Sequence, residues 1–154
     1  MVSENVFALA RRGFTAAELL VVMAIIGIIT AASTPWMITY WRSATLRAAA
    51  EELAAGLNRA RQLAIAQNQS VCVEVVTGRY RSRLNGCGGT PWTEPGTDAN
   101  GFHRLANNVA LATNANPVFD YLGAAIGATF TVTNPQGGAT RNVVVSVSGR
   151  VQIQ

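Results

Sequence analysis

Residues 11–23 read Arg-Arg-Gly-Phe-Thr-Ala-Ala-Glu-Leu-Leu-Val-Val-Met, and the apolar run that starts here continues to Ile38 with Glu18 as its only ionisable side chain. At about 1.5 Å per residue a helix over 14–38 measures roughly 37 Å, enough to cross a hydrocarbon core of about 30 Å. Two arginines directly before such a run hold that side in the cytoplasm, so the chain after it is delivered to the opposite face. Glu18 is the oddity. An acidic side chain in an apolar helix costs up to about 3 kcal/mol and marks function, which calls for a compensating partner.

Working outward, 154 residues leave room for one modest domain once the run is subtracted. A mean hydropathy of +0.22 with 13% charged residues is greasier than an ordinary soluble domain, and its concentration in one segment reads as a single anchor. All twelve basic residues are arginine, and the net charge is +4. Guanidinium groups are permanently charged and contact carboxylate or phosphate in a bidentate way, so anionic partners fit this chain.

Pro35 interrupts the helical pattern and removes the hydrogen bond to the Ala31 carbonyl, which predicts a kink or a loosened turn. Beyond it Leu46, Ala50, Leu53, Leu57, Ala60 and Ala64 recur at steps of four and three, while Arg47, Glu51, Glu52 and Arg59 occupy the other faces. This predicts an amphipathic helix running from Phe14 to about Asn68. From Ser70 the period changes to two: strands are expected over 70–76 and 79–84 around a Thr77-Gly78 turn, then over 128–133, 140–147 and 150–153 as a meander. The stretch 86–100, rich in Gly, Pro and Thr, reads as a loop.

Arg11-Arg12-Gly13 followed by Phe14-Thr15-Ala16-Ala17-Glu18-Leu19-Leu20 resembles the class III signal of type IV pilins and type II secretion pseudopilins. The resemblance implies that a prepilin peptidase cuts between Gly13 and Phe14 and N-methylates Phe14, leaving Glu18 as the fifth residue. The new amine would attract a carboxylate on a neighbouring helix by about 4 kcal/mol at about 4 Å and an effective dielectric near 20, comparable to the insertion cost of Glu18. Pro35 also matches the family's pattern, in which the helix near it unwinds in the filament. Two other readings of the segment are a secretory signal peptide cut near Thr30-Ala31-Ala32-Ser33 and a plain unprocessed anchor, and neither gives Glu18 a role.

Arg47-Ala48-Ala49-Ala50, Ala60-Arg61-Gln62-Leu63-Ala64 and the terminal Ser148-Gly149-Arg150-Val151 are similar to the minor pseudopilin H and FimT branch of that family. The resemblance implies an α+β type IV pilin fold, with a long N-terminal helix packed on a small antiparallel β-sheet head. The expected division is a leader over 1–13, a transmembrane helix over 14–38, an amphipathic helix over 39–68 and a β-rich extracytoplasmic head over 69–154. The expected partners are other pilins or pseudopilins through the N-terminal helix, the prepilin peptidase and an inner-membrane assembly platform. The expected location is the cytoplasmic (inner) membrane, single-pass, with the N-terminus in the cytoplasm and the head outside, and then a pilus or pseudopilus filament. In such a compartment Cys72 and Cys87 are expected to pair, because the hairpin between them returns the chain and Asn85-Gly86 turns Cys87 inward.

No nucleophile–base set and no metal-ligand spacing is present, so the reading is non-enzymatic and without cofactor; His103, the lone histidine, is read as a surface or packing residue. Arg79, Arg81 and Arg83 alternate on one strand and therefore share a face. A solvated edge is one reading. With Arg150 they also form a candidate set of phosphate contacts, which makes DNA uptake in natural transformation the alternative to a structural filament subunit. The FimT-type motif Gly-Arg-x-Arg has Gln152 at its second arginine here, a departure that weakens the alternative.

Overall fold

The computed structural model describes residues 14–76 and 78–154; the leader expected over 1–13, Gly13 included, lies outside the described residues. One helix, α1 (Ala16–Gln67), begins the chain. Thr15 caps it: its Oγ1 accepts a hydrogen bond from the Glu18 backbone N–H at 3.3 Å. The chain divides into a unit ending at Ile38 and a unit spanning Thr39–Gln154.

In the first unit the apolar side chains are exposed, Leu20 at 70% and Ile28 at 71%. α1 is the one helix among the described residues that is long and apolar enough to cross a membrane. Its hydroxyls are satisfied locally: Thr30, Ser33 and Thr34 donate to the carbonyls of Ile26, Ile29 and Thr30 at 2.7, 2.7 and 2.8 Å. Back-bonding of this kind makes a hydroxyl tolerable in an apolar setting and tends to bend a helix. Pro35 follows directly and lies inside α1.

In the second unit the helix buries Leu46, Ala49, Ala50, Leu53, Leu57, Ala60 and Ala64, the stripe read from the sequence with Ala49 added. This face packs into one core with the strands. The strands are β1 (Val71–Val76), β2 (Arg79–Leu84), β3 (Thr90–Pro91), β4 (Phe102–Arg104), β5 (Ala110–Thr113), β6 (Val118–Phe119), β7 (Ala128–Thr133), β8 (Thr140–Val145) and β9 (Val151–Ile153). They form two antiparallel sheets where a single small one was expected. In the first, the order is β3-β2-β1-β6, with β4 sharing the outer edge of β2. In the second, the meander β7-β8-β9 is extended by β5. β7 alternates strictly, with Ala128, Phe130 and Val132 buried.

Most expected strands keep their bounds to within a residue, while β8 stops at Val145, short of the expected Val147. There Ser146 N–H donates to the Arg150 carbonyl at 2.9 Å and Gly149 N–H to the Ser146 carbonyl at 2.9 Å, which closes a turn. The stretch 86–100, expected as a loop, contributes β3. The disulfide joins Cys72 and Cys87, with Cα atoms 4.9 Å apart, and Gly86 N–H bonds the Ser70 carbonyl at 3.2 Å beside it.

Gly149 has φ +74°, and a Cβ there would strike the Gly123 carbonyl oxygen. Because the clash is with backbone and the φ is left-handed, Gly149→Ala is expected to destabilise the protein by about 2 kcal/mol or more, read as a lowered melting temperature, whereas Gly138→Ala, with open space around it, should cost about 1 kcal/mol.

Candidate functional site

The anchoring end carries Phe14, 77% exposed, and Glu18 in the first turn of α1. Thr15 and Glu18 stand in the Thr-x-x-Glu spacing of a helix start, a signal legible in the sequence that gives this turn a defined beginning. Pro35 and the three hydroxyl residues before it lie within one and a half turns of α1.

In the head, β2 sets two faces of opposite character. Tyr80 points into the core, and Arg79, Arg81 and Arg83 share the other face as expected. They do not form a solvated row. Glu74 stands opposite Arg81 in the β1–β2 register, and its Oε2 accepts from Arg81 Nε at 2.7 Å and from Arg83 Nη1 at 3.1 Å. Arg83 Nε also donates to the Gly89 carbonyl at 2.9 Å. The side chains of Arg81 and Arg83 are only 16% and 20% exposed. Arg79 pairs with Asp98 at 3.3 Å, and the guanidiniums of Arg79 and Arg81 lie 4.8 and 4.3 Å from the centroid of Phe102. Burial acts to raise the Glu74 carboxyl, but the hydrogen bonds and charges of Arg81 and Arg83 outweigh it and hold it below the ordinary range. Asp98 is likewise held low, chiefly by the Phe102 N–H. Arg150, exposed, sits in the turn before β9 of the other sheet, so the four candidate phosphate contacts are not gathered in one strand.

A second cluster was not legible. A cleft of about 230 Å³ opens between α1 and β2, lined among others by Arg59, Tyr80, Trp92, Glu94 and His103. Glu94 Oε1 accepts from Arg59 Nη1 at 3.1 Å and lies 2.9 Å from His103 Nε2, while the His103 ring stacks on Tyr80 with centroids 5.2 Å apart. Burial acts against the Glu94 carboxylate, but His103 and Arg59 hold its pKa below the ordinary value. Burial, with Glu52 next, pushes the Tyr80 phenol up to about 12. Of the two roles expected for His103, surface or packing, the structure shows packing, with Glu94 as a specific partner. The arrangement ties the segment around Glu94 to α1 and holds no group of three or more His, Cys, Asp or Glu side chains suited to a metal among the described residues.

A helix whose apolar first unit is exposed and whose alanine face carries a two-sheet head is the architecture of a pilin-like filament subunit. The family model described as type II transport protein GspH matches residues 49–149, and the chain belongs to this type IV pilin-like, minor pseudopilin family. It is 31% identical over 159 residues to the pilin-like protein PilA1 of Thermus thermophilus, across 95% of this chain and all of that relative. In fold it is similar to E. coli GspH (TM-score 0.58, 17% identity, 72% of this chain and 88% of that one). It is also similar to the minor pseudopilin EpsH of the Vibrio cholerae type 2 secretion system (TM-score 0.56, 12% identity, 71% and 95%). The family is one of structural subunits that assemble with other pilins in filaments, and the exposed apolar helix fits membrane anchoring.

Glu74 and Glu94 have folded-state pKa values below the usual 4.5, so the stability they contribute is fully present above the ordinary carboxylate range and is lost as the pH falls below it. In detergent, the melting temperature should hold from neutral pH down to about that value and then drop. Glu74→Gln should lower it at pH 7 by the equivalent of about 1 kcal/mol, because Arg81 and Arg83 lose their shared acceptor, and should flatten the acid limb. A variant with an unchanged acid limb would show that these pairs do not carry it.

Proposed function

We propose that the chain is a minor pilin or pseudopilin that enters a type IV pilus or type II secretion pseudopilus through its N-terminal helix and acts in filament assembly and initiation, and so in protein secretion. The observation that carries this is the apolar, exposed stretch 14–38 with Glu18 as its one ionisable side chain, attached in sequence to a chain matched by the family model over 49–149. Such a face is exposed among the described residues. Lipid satisfies it before assembly and neighbouring helices satisfy it afterwards, where Glu18 meets the cationic amine of another subunit. The prepilin peptidase frees that amine at Phe14, and an inner-membrane platform collects the processed chain. Arg11 and Arg12 favour a cytoplasmic N-terminus, and the Cys72–Cys87 bond favours an oxidising compartment for the head. Pro35, which lacks an N–H, together with the back-bonded hydroxyls before it, favours local opening of the helix on assembly.

DNA uptake is the weaker reading, since Glu74 and Asp98 already hold the arginine row that would track phosphates. Gel shifts of the detergent-solubilised chain on duplex DNA are expected to show no complex at about 150 mM salt; a complex that survives there would reverse this order.

Intact mass of membrane-extracted protein is expected to match a chain that starts at N-methylated Phe14. A mature start near Ser33, or retention of Met1, would sink the reading. Glu18→Ala is expected to leave membrane insertion intact while reducing recovery in sheared filaments by about tenfold or more, in line with loss of an interaction worth a few kcal/mol. Equal recovery of mutant and wild type would count decisively against a pairing role.

A further inference from the structure

Among the described residues, Arg61 on α1 is the one cation with a buried side-chain nitrogen that lacks an acceptor. Its Nε is buried without a hydrogen-bond partner, and among the described residues no ion pair includes it. Two turns from different sheets close over it. A Cβ at Gly123, in the segment between β6 and β7, would lie 2.9 Å from Arg61 Nε and 3.0 Å from Ile65 Cδ1; one at Gly149, in the turn between β8 and β9, would lie 3.2 Å from Arg61 Nε. Ala125 N–H donates to the Val147 carbonyl at 2.9 Å and binds the two turns together.

Around this half-buried guanidinium the surface is apolar. Ile65 is 49% exposed, Tyr121 55%, Leu122 72%, Ile126 61% and Val147 74%. The parts of this surface are joined through the turns: Ile65 lies against the Gly123 turn that carries Tyr121 and Leu122, Val147 borders Gly127, next to Ile126, and the Ala125–Val147 hydrogen bond links the two. It is also pre-shaped, since Asp120 Oδ1 accepts from the N–H groups of Leu122 and Ala124 at 2.9 and 2.8 Å and fixes the turn that presents Leu122. Large exposed apolar side chains near a half-buried guanidinium without an acceptor mark a surface built for a partner.

We propose that this surface docks a segment of a different pilin-like subunit, one that presents a carboxylate flanked by apolar side chains: the carboxylate meets Arg61, and the flanking groups cover Leu122, Ile126 and Val147. The proposal rests on the filament-subunit reading above and adds to it a head-to-head contact. A second copy of this chain fits poorly, because every side-chain carboxylate of the head is already engaged. Glu51 pairs with Arg47, Glu52 accepts from the Ala106 N–H, Asp120 holds its own turn, and Glu74, Glu94 and Asp98 hold arginines. The net charge of +4 further favours an acidic partner over a like one.

A photo-crosslinking amino acid placed at Leu122, at Val147 and, as a control, at exposed Gln136 in the full chain in its host tests this. Leu122 and Val147 are expected to give adducts with another filament subunit, through a peptide containing Asp or Glu, and Gln136 is not. Arg61→Gln, and independently Val147→Asp, should each lower the Leu122 adduct at least ~10-fold, as for a central contact. Val147 is 74% exposed, so its substitution should leave the melting temperature unchanged even if Arg61→Gln disturbs folding. Adducts only to a second copy or to lipid, no adducts, or an undiminished yield in Val147→Asp would overturn the proposal. If the chain is absent from filaments yet still gives the Leu122 adduct in the membrane, the filament reading fails while the docking surface stands; if it enters filaments without the adduct, the docking surface fails alone.

Discussion

The packing of the buried α1 stripe into one core with the two sheets is the contact on which the head depends. Ala49, Ala50, Ala60 and Ala64 contribute little bulk and Leu46, Leu53 and Leu57 more, and all seven share one buried cluster with Phe119 and Phe130. Burying these residues supplies most of the driving force that a head of this size can collect. It also fixes the phase of β2: once Tyr80 is turned into this core, Arg79, Arg81 and Arg83 must face away from it. The same register sets Glu74 opposite Arg81.

A consequence is that the fold engages the arginine row that the composition and the strand pattern advertise. Twelve arginines and a net charge of +4 read as a basic surface seeking anions. In the folded head two carboxylates hold the three arginines of β2, two of which also lie against Phe102, and a third carboxylate, Glu94, holds Arg59. A phosphate would have to compete with these partners, and the Glu74 pairs with Arg81 and Arg83 are partly shielded from water, where an ion pair is stronger than in bulk. Net charge is a property of the whole chain; availability is a property of each guanidinium, and only the tertiary register decides it.

The sequence therefore spoke clearly where one period persists. Leu46 to Ala64 keeps a helical step for five turns, and β7 keeps alternation for six residues, so both were readable with their buried faces. Between Cys87 and Gly127 no period persists. β3 and β6 are two residues long and β4 three, and such strands exist because neighbouring edges accept them, as β2 accepts β3 on one half and β4 on the other. The Glu94–His103–Tyr80 cluster was hidden for the same reason: His103 reaches Tyr80 only through the β2–β4 register, which no local pattern encodes. The Cys72–Cys87 pair was legible because its hairpin is local.

The two units also differ in what satisfies them, and that difference ties structure to function. In the second unit, the apolar residues of the core are covered while Tyr121, Leu122, Ile126 and Val147 stay exposed, carboxylates are engaged, and the edge of β2 is taken by β3 and β4. In the first unit, the hydroxyls of Thr30, Ser33 and Thr34 are satisfied within the helix, yet Leu20, Ile28 and Trp36, the last at 85% exposure, are left uncovered among the described residues. An isolated helix in water could not keep such a surface, because the cost grows with the exposed apolar area. Its stable surroundings are lipid or other helices of the same kind. In lipid, helices gain little from mutual apolar burial, because acyl chains are equally apolar; close packing and polar pairs must drive their association. Glu18 is the only ionisable side chain the run offers for such a pair.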